Sequence, residues 1–261
     1  MSVVRLLYPL ACLIMMSNCQ MRMAPQTQNN VSKTNNASQN SALFVGVESA
    51  DPAAVRQALQ AGANVDAKDS SGFTSLMIAS LRGNEEIARL LLEAGATPNS
   101  TNEADETPLM MAIQSGHNHL LTLLLDHGAD VSLRARFRGS TAVHLAASRE
   151  DLSALKILLA RKADVNSRDE FGNTPLSVAA AKDSEVLQLL LDSGADVNST
   201  NKAGGTPLMS AISSQRNLKL LLEHGANVNA RDNNGWTVLE FALLEGCPDI
   251  INLLTRAGAK E

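Results

Sequence analysis

The sequence predicts an all-α solenoid of stacked helix-turn-helix units with projecting β-hairpin loops, and three recurrences predict it. Threonine returns at Thr74, Thr107, Thr141, Thr174, Thr206 and Thr237, with spacings of 33, 34, 33, 32 and 31 by subtraction. Five residues beyond each threonine stands an alanine, at Ala79, Ala112, Ala146, Ala179, Ala211 and Ala242. Leucine pairs follow at Leu91-Leu92, Leu124-Leu125, Leu158-Leu159, Leu190-Leu191 and Leu221-Leu222. A period of this length marks an array in which each unit packs only on its neighbours.

Each recurrence has a physical reason. Threonine is a helix N-cap and proline suits the first helical position, so Thr107-Pro108, Thr174-Pro175 and Thr206-Pro207 start a first helix. The uniformly small alanine implies close helix-to-helix approach. The leucines supply the buried stripe of a second helix. Glycines at 62, 95, 128, 194, 225 and 258 fit left-handed C-terminal caps, and Lys162 stands where the third unit should have one. A non-glycine residue there costs on the order of 1 kcal/mol. Between cap and threonine lie Asp/Asn/Gly-rich turns such as Asn166-Ser167-Arg168-Asp169.

Gly-x-Thr-Pro-Leu at Gly172 to Leu176, Leu-Leu-x-x-Gly-Ala at Leu190 to Ala195, and the Asp196-Val197-Asn198 stretch closely resemble the ankyrin repeat. The resemblance covers about Ala42 to the C-terminus. It implies a divergent capping repeat at 41–69 and repeats at 70–102, 103–136, 137–169, 170–201, 202–232 and 233–261. It also implies a monomeric protein-binding scaffold, contacting a protein partner of unknown identity through hairpin tips and the inner face of the first helices. His144, in Thr141-x-x-His144, would by the same resemblance bond backbone between units.

Upstream, residues 1–18 read as a signal peptide: Arg5 precedes an apolar run from Leu6 to Met16 that is too short to span a bilayer. Met16-Ser17-Asn18-Cys19 resembles a bacterial lipobox, which implies lipidation at Cys19 and a cell-envelope location facing the periplasm or the cell surface. Asn18 departs from the Gly, Ala or Ser usual before that cysteine, so a leader cleaved elsewhere or kept as an anchor stays open. Residues 19–40 are rich in Asn, Gln and Ser and predict a disordered tether. About 22 residues of coil reach roughly 25 Å. Of three cysteines, Cys12 leaves with the leader, Cys19 carries lipid and Cys247 remains, so no disulfide framework forms.

Departures from the period locate the candidate contact site. From threonine to the cap position the count is 21 in most units, 20 in the fourth and 19 in the fifth, by subtraction. One residue is added before Thr141, where Arg134, Arg136, Phe137 and Arg138 crowd together. Counted back from threonine, Arg136 occupies the place of the turn-closing Asp or Asn of the other units. Phe73, Phe137, Phe171 and Trp236 all fall in hairpins, and exposed aromatics with Arg are the usual interface anchors. Contact is expected of Phe137 and Phe171; Phe73 and Trp236 serve equally well as covers for the helix start below them.

A net charge of -5 offers no basic field for nucleic acid. His117 and His119 lie in a turn without acidic or cysteine ligands at matching spacing, so turn chemistry outweighs a metal site. No phosphate loop, nucleophile elbow or carboxylate pair rises above the repeat, so neither cofactor nor catalysis is expected. A secreted effector meeting a host protein, or an accessory factor for an envelope enzyme or metal, are the alternatives to an anchored scaffold.

Overall fold

Five of the six periodic threonines accept the amide of the residue three places on, Met77, Met110, Ser177, Met209 and Glu240, each at 3.3 Å, and all six are buried. They open the first helix of each pair. The computed structural model describes residues 29–182 and 185–260, with side chains from 36 on, so the leader, Cys19 and the tether to residue 28 lie outside it. Residues to Asn35 and residues from Asn36 form separate units, and the packing below is that of the second.

The pairs are α1 (Asn29–Glu48) with α2 (Pro52–Gln60), then α3 (Ser75–Arg82) with α4 (Glu85–Glu93) and α5 (Pro108–Ser115) with α6 (His119–Asp126). They continue as α7 (Ala142–Ser148) with α8 (Leu152–Ala160), and α9 (Pro175–Ala180) with α10 (Glu185–Asp192). The last are α11 (Pro207–Ser210) with α12 (Gln215–Glu223), and α13 (Val238–Glu245) with α14 (Pro248–Arg256). From α3 to α13 first helices pack on first helices, and from α2 to α10 second helices pack on second, as α12 does on α14. The six alanines are the contact points, each 0% exposed. Leu91, Leu124, Leu158, Leu190 and Leu221 are likewise 0% exposed, and continue the core from unit to unit.

Helix α1 begins at Asn29, so 29–40, expected as coil, is helical. Asn36 and Ser38 are exposed, while further along the same helix Leu43 and Val47, one turn apart, are buried. Asn40 adds a tie, its Oδ1 accepting the Asn64 amide at 2.7 Å.

That tie is the first rung of a ladder. Two residues past each cap glycine, a backbone amide donates to a side chain of the preceding turn: Thr97 to Asp66 (2.8 Å), Asp130 to Asn99 (2.7 Å), Asp196 to Asn166 (2.8 Å), Asn227 to Asn198 (2.8 Å) and Lys260 to Asn229 (2.8 Å). The same asparagines donate Nδ2 to the cap glycine carbonyl of the next unit, Gly128, Gly194, Gly225 or Gly258. At the equivalent place the second unit has Ser132, which is too short to cross and bonds Asp130 of its own turn. That gap falls opposite Lys162, which does adopt φ +61°.

The hairpins hold no strand among the described residues; they are closed by isolated bridges, Lys68 with Thr74 and Arg231 with Thr237, or by a single backbone bond such as Asp169 to Asn173 at 2.9 Å. The legs are too short for a ladder, since a left-handed glycine follows the closing residue by three places, as Gly72 and Gly172 do. No helix of the described residues is long and apolar enough to cross a membrane.

In the third unit the cap hydroxyl turns to an imidazole instead. His144 Nδ1 lies 2.9 Å from Thr141 Oγ1, and its Nε2 lies 3.0 Å from the carbonyl of Asn173 in the next hairpin. A carbonyl only accepts, so Nε2 carries a proton, and the Thr141 amide donates to Nδ1 at 3.4 Å, so Nδ1 accepts: the ring is neutral. Burial pushes its pKa down, against the Asn173 hydrogen bond.

Two outcomes follow. Lys162→Gly relieves a left-handed residue but frees the unfolded chain, and should raise the thermal midpoint by about 2 °C; a lower midpoint in differential scanning calorimetry would refute strain at Lys162. Because the His144 pKa is depressed on folding, its contribution is complete above the unfolded value of about 6.5 and is lost as pH falls through the folded one. Wild-type thermal midpoints should therefore drop more steeply from pH 7 to pH 5 than those of His144→Gln, and parallel curves would exclude a neutral buried ring.

Candidate protein-contact surface

Five hairpins share one device: Asp69, Asn102, Asp169, Asn201 and Asp232 each accept two amides of their own turn through Oδ1, at 2.8–3.0 Å. The structure corrects the expected register in the hairpin before α7. Ala135, and not Arg136, holds the closing position: its amide donates to Ser140 at 3.0 Å, as Asp69 does to Phe73. The added residue lies after that position, so counting back from Thr141 misplaces it by one. With no carboxamide or carboxylate at Ala135 to gather the amides, the tip spreads through Arg138 at φ +68° and Gly139 at φ +64°. Gly139 is required there, since a Cβ would fall 2.8 Å from Glu170 Cγ.

The basic cluster separates into three roles. Arg134 points back into the scaffold, donating Nη1 to Gly139 at 3.0 Å and to the Arg168 carbonyl of the next hairpin. Arg168 repeats the pattern on Gly172 and Thr200, and Lys68 reaches Thr101 at 2.6 Å. Arg136 pairs sideways with Asp105, Nε at 3.0 Å and Nη2 at 3.3 Å. The Arg138 guanidinium lies over two phenyl rings, 5.7 Å from the centroid of Phe137 and 5.6 Å from that of Phe171. Those rings are 79% and 52% exposed, so a cation and two apolar faces meet solvent across adjacent fingertips.

The other two aromatics are placed differently. Phe73 is half-buried against the core. Trp236 is exposed, with its ring stacked on Phe241 at 5.6 Å. Beside that stack lies a cavity of about 230 Å³ between α11, α13 and the hairpin tips, lined by Met209, Ile212, Phe241, Asp232 and Glu245 among others. Sequence reasoning missed it, although its cause was visible: the two residues missing from the fifth unit shorten α11 to four residues, where α5 and α13 have eight.

The histidine turn is structural in its contacts. His119 Nε2 lies 3.1 Å from the Gly83 carbonyl, and the His117 ring packs so closely that a Cβ at Gly83 would come within 2.6 Å of it. His127 and His224 each set Nδ1 2.8 Å from the carbonyl four residues back. Among the described residues no group of three or more His, Cys, Asp or Glu side chains could hold a metal ion. Cys247 is a half-buried free thiol at the start of α14. On the second-helix side a larger groove, about 680 Å³, mixes Lys156 and Lys219 with Glu185, Asp192 and Glu223.

A sequence family described as ankyrin repeats (3 copies) matches residues 11–102, 43–135, 109–201 and 178–260. Among solved structures, the human ASB11 ankyrin repeat domain is similar at 26% identity and a TM-score of 0.72, over 84% of this chain and 98% of that one. The ankyrin repeat domain of Bcl-3, a member of the IkappaB protein family, is similar at 28% identity and a TM-score of 0.74, over 82% of this chain and 97% of that one. No curated protein sequence matches. Ankyrin repeats generally mediate protein-protein interaction and are typically non-catalytic. With its repeats matched from residue 11 to residue 260, the chain belongs to the ankyrin-repeat family.

Proposed function

We propose that this chain is a non-enzymatic scaffold that captures a protein partner at the fingertips before α7 and α9, and that it is exported and held at a bacterial envelope by lipid on Cys19. The observation that carries the contact site is the exposed Phe137–Arg138–Phe171 cluster. Large apolar rings cost least in water when covered, and a surface bearing two of them around a guanidinium has the composition of an interface hot spot. Rings already stacked on the cation lose little further freedom on binding.

The anchoring half of the proposal rests on the sequence from Arg5 to Cys19 and the polar stretch after it. One acyl chain binds a membrane only reversibly, whereas several on one cysteine make stable attachment.

Arg136→Ala combined with Phe137→Ala should abolish capture of the partner identified by crosslinking in intact cells and mass spectrometry. The thermal midpoint should stay within about 2 °C, because Arg136 and Asp105 form an exposed pair worth at most about 1 kcal/mol. Wild-type capture by the double variant would sink the fingertip site. Cys19→Ser should move the protein from the membrane to the soluble fraction and end palmitate labelling; retention in membranes would refute anchoring at that residue.

A further inference from the structure

The cavity beside α11 and α13 combines an apolar interior with a rim of one charge. Met209, Ile212 and the half-buried Phe241 supply the interior. Asp232 and Glu245 stand on the rim, and no Lys or Arg is among the lining residues. Asp232 spends Oδ1 on the Asn234 and Trp236 amides, but its Oδ2 has only a 3.4 Å contact from Asn234. The Glu245 carboxylate is exposed and makes no hydrogen bond or ion pair among the described residues.

Size narrows the occupant. At about 230 Å³ the cavity falls below the roughly 300–1,000 Å³ of small-molecule sites, so it suits one side chain presented by a larger partner. Chemistry narrows it further. Lysine and arginine alone join a long apolar stem to a positive head, and they bury the stem while the head seeks charge or water. An aromatic face next to carboxylates adds attraction for a cation.

We propose that this cavity receives a lysine or arginine side chain of the protein partner, its stem on Met209, Ile212 and Phe241 and its charge against Glu245 and Asp232. The proposal rests on the reading of the chain as a protein-binding scaffold and names a second anchor for it. The cavity exists because the fifth unit lacks residues at the end of its first helix; in α5 the corresponding stretch extends through Ile113 and Ser115.

Trp236 makes the test direct, since it is the one tryptophan of the chain and stacks on Phe241. The full chain is titrated with end-blocked peptides Gly-Ser-Gly-Xaa-Gly-Ser-Gly, with Arg, Lys, norleucine or Glu at the centre, while tryptophan fluorescence is followed. The Arg and Lys peptides should give saturable changes with affinity about tenfold above norleucine, and the Glu peptide none. Glu245→Gln should weaken the basic peptides about fivefold and leave norleucine unchanged. Equal affinity for Arg and norleucine, indifference to Glu245→Gln, or no saturable change with any peptide would each overturn the proposal. Phe137→Ala should leave the peptide titration untouched, so failure of the fingertip site and failure of this cavity show in different assays.

Discussion

A pair of helices no more than nine residues long, as every pair from α3 on is, cannot bury its own apolar stripe, so each such unit depends on the register at which the next one stacks. Small side chains set the distance and hydrogen bonds set the register. The buried alanines from Ala79 to Ala242 let first helices approach closely. The carboxamides of Asn99, Asn166, Asn198 and Asn229 each bridge an amide and a carbonyl two residues apart in the following turn. At the tips a backbone ladder runs in the same direction, with Arg136 donating to Ala104, Glu170 to Arg138, Lys202 to Phe171 and Asn233 to Ala203 at 2.7–3.0 Å. Each bond contributes only about 1 kcal/mol net. Their effect is that a slip at one unit breaks bonds at both its edges.

This division explains what was legible in the sequence. Caps, stripes and close contacts depend on residue type at one position, so Thr107, Ala112, Leu124 and Gly128 announce their roles without any knowledge of the neighbour. The φ of Lys162 was readable for the same reason: the position, not the residue, fixes the backbone. Roles that depend on a partner in another unit were hidden. Arg134 looked like part of an exposed basic cluster, yet its guanidinium belongs to the carbonyls of Gly139 and Arg168. The length of the third hairpin showed that a residue was added but not on which side of Ala135. Helix α1 was hidden because its anchor, Asn40, is polar and its partner amide is on Asn64.

The candidate contact surfaces follow from the same constraint. At regular positions of the turns the Asp and Asn side chains have bonds to make, as Asp169 and Asn198 do, and have little left to offer a ligand. Where the period is broken, apolar and basic side chains are released from that duty. An insertion places Phe137 and Arg138 on a tip that has lost its closing carboxylate, and a deletion shortens α11 and uncovers Met209 and Ile212. One departure projects groups outward and the other opens a recess. Charge separates them as well, with Arg138 in the first and Asp232 and Glu245 at the second.

Departures accumulate from the end of unit two through unit three: Ser132 omits a rung, Ala135 omits a turn closure, Thr141 gives its cap to His144, and Lys162 replaces a glycine. The missing rung falls between units two and three, which Asn118 with Asp151 and Arg161 with Asp126 still join, as Arg136 with Asp105 joins their hairpins, while other bonds reach on to unit four. His144 bonds Asn173, Arg134 bonds Arg168, Glu170 donates to Arg138, and Arg138 lies against Phe171. Units three and four are thus tied at the fingertips themselves. The fingertip pair that carries the proposed contact is therefore held by bonds between its own two hairpins, which set the spacing of Phe137 and Phe171. A fixed spacing lowers the ordering cost of recognition and excludes partners whose surface does not match it.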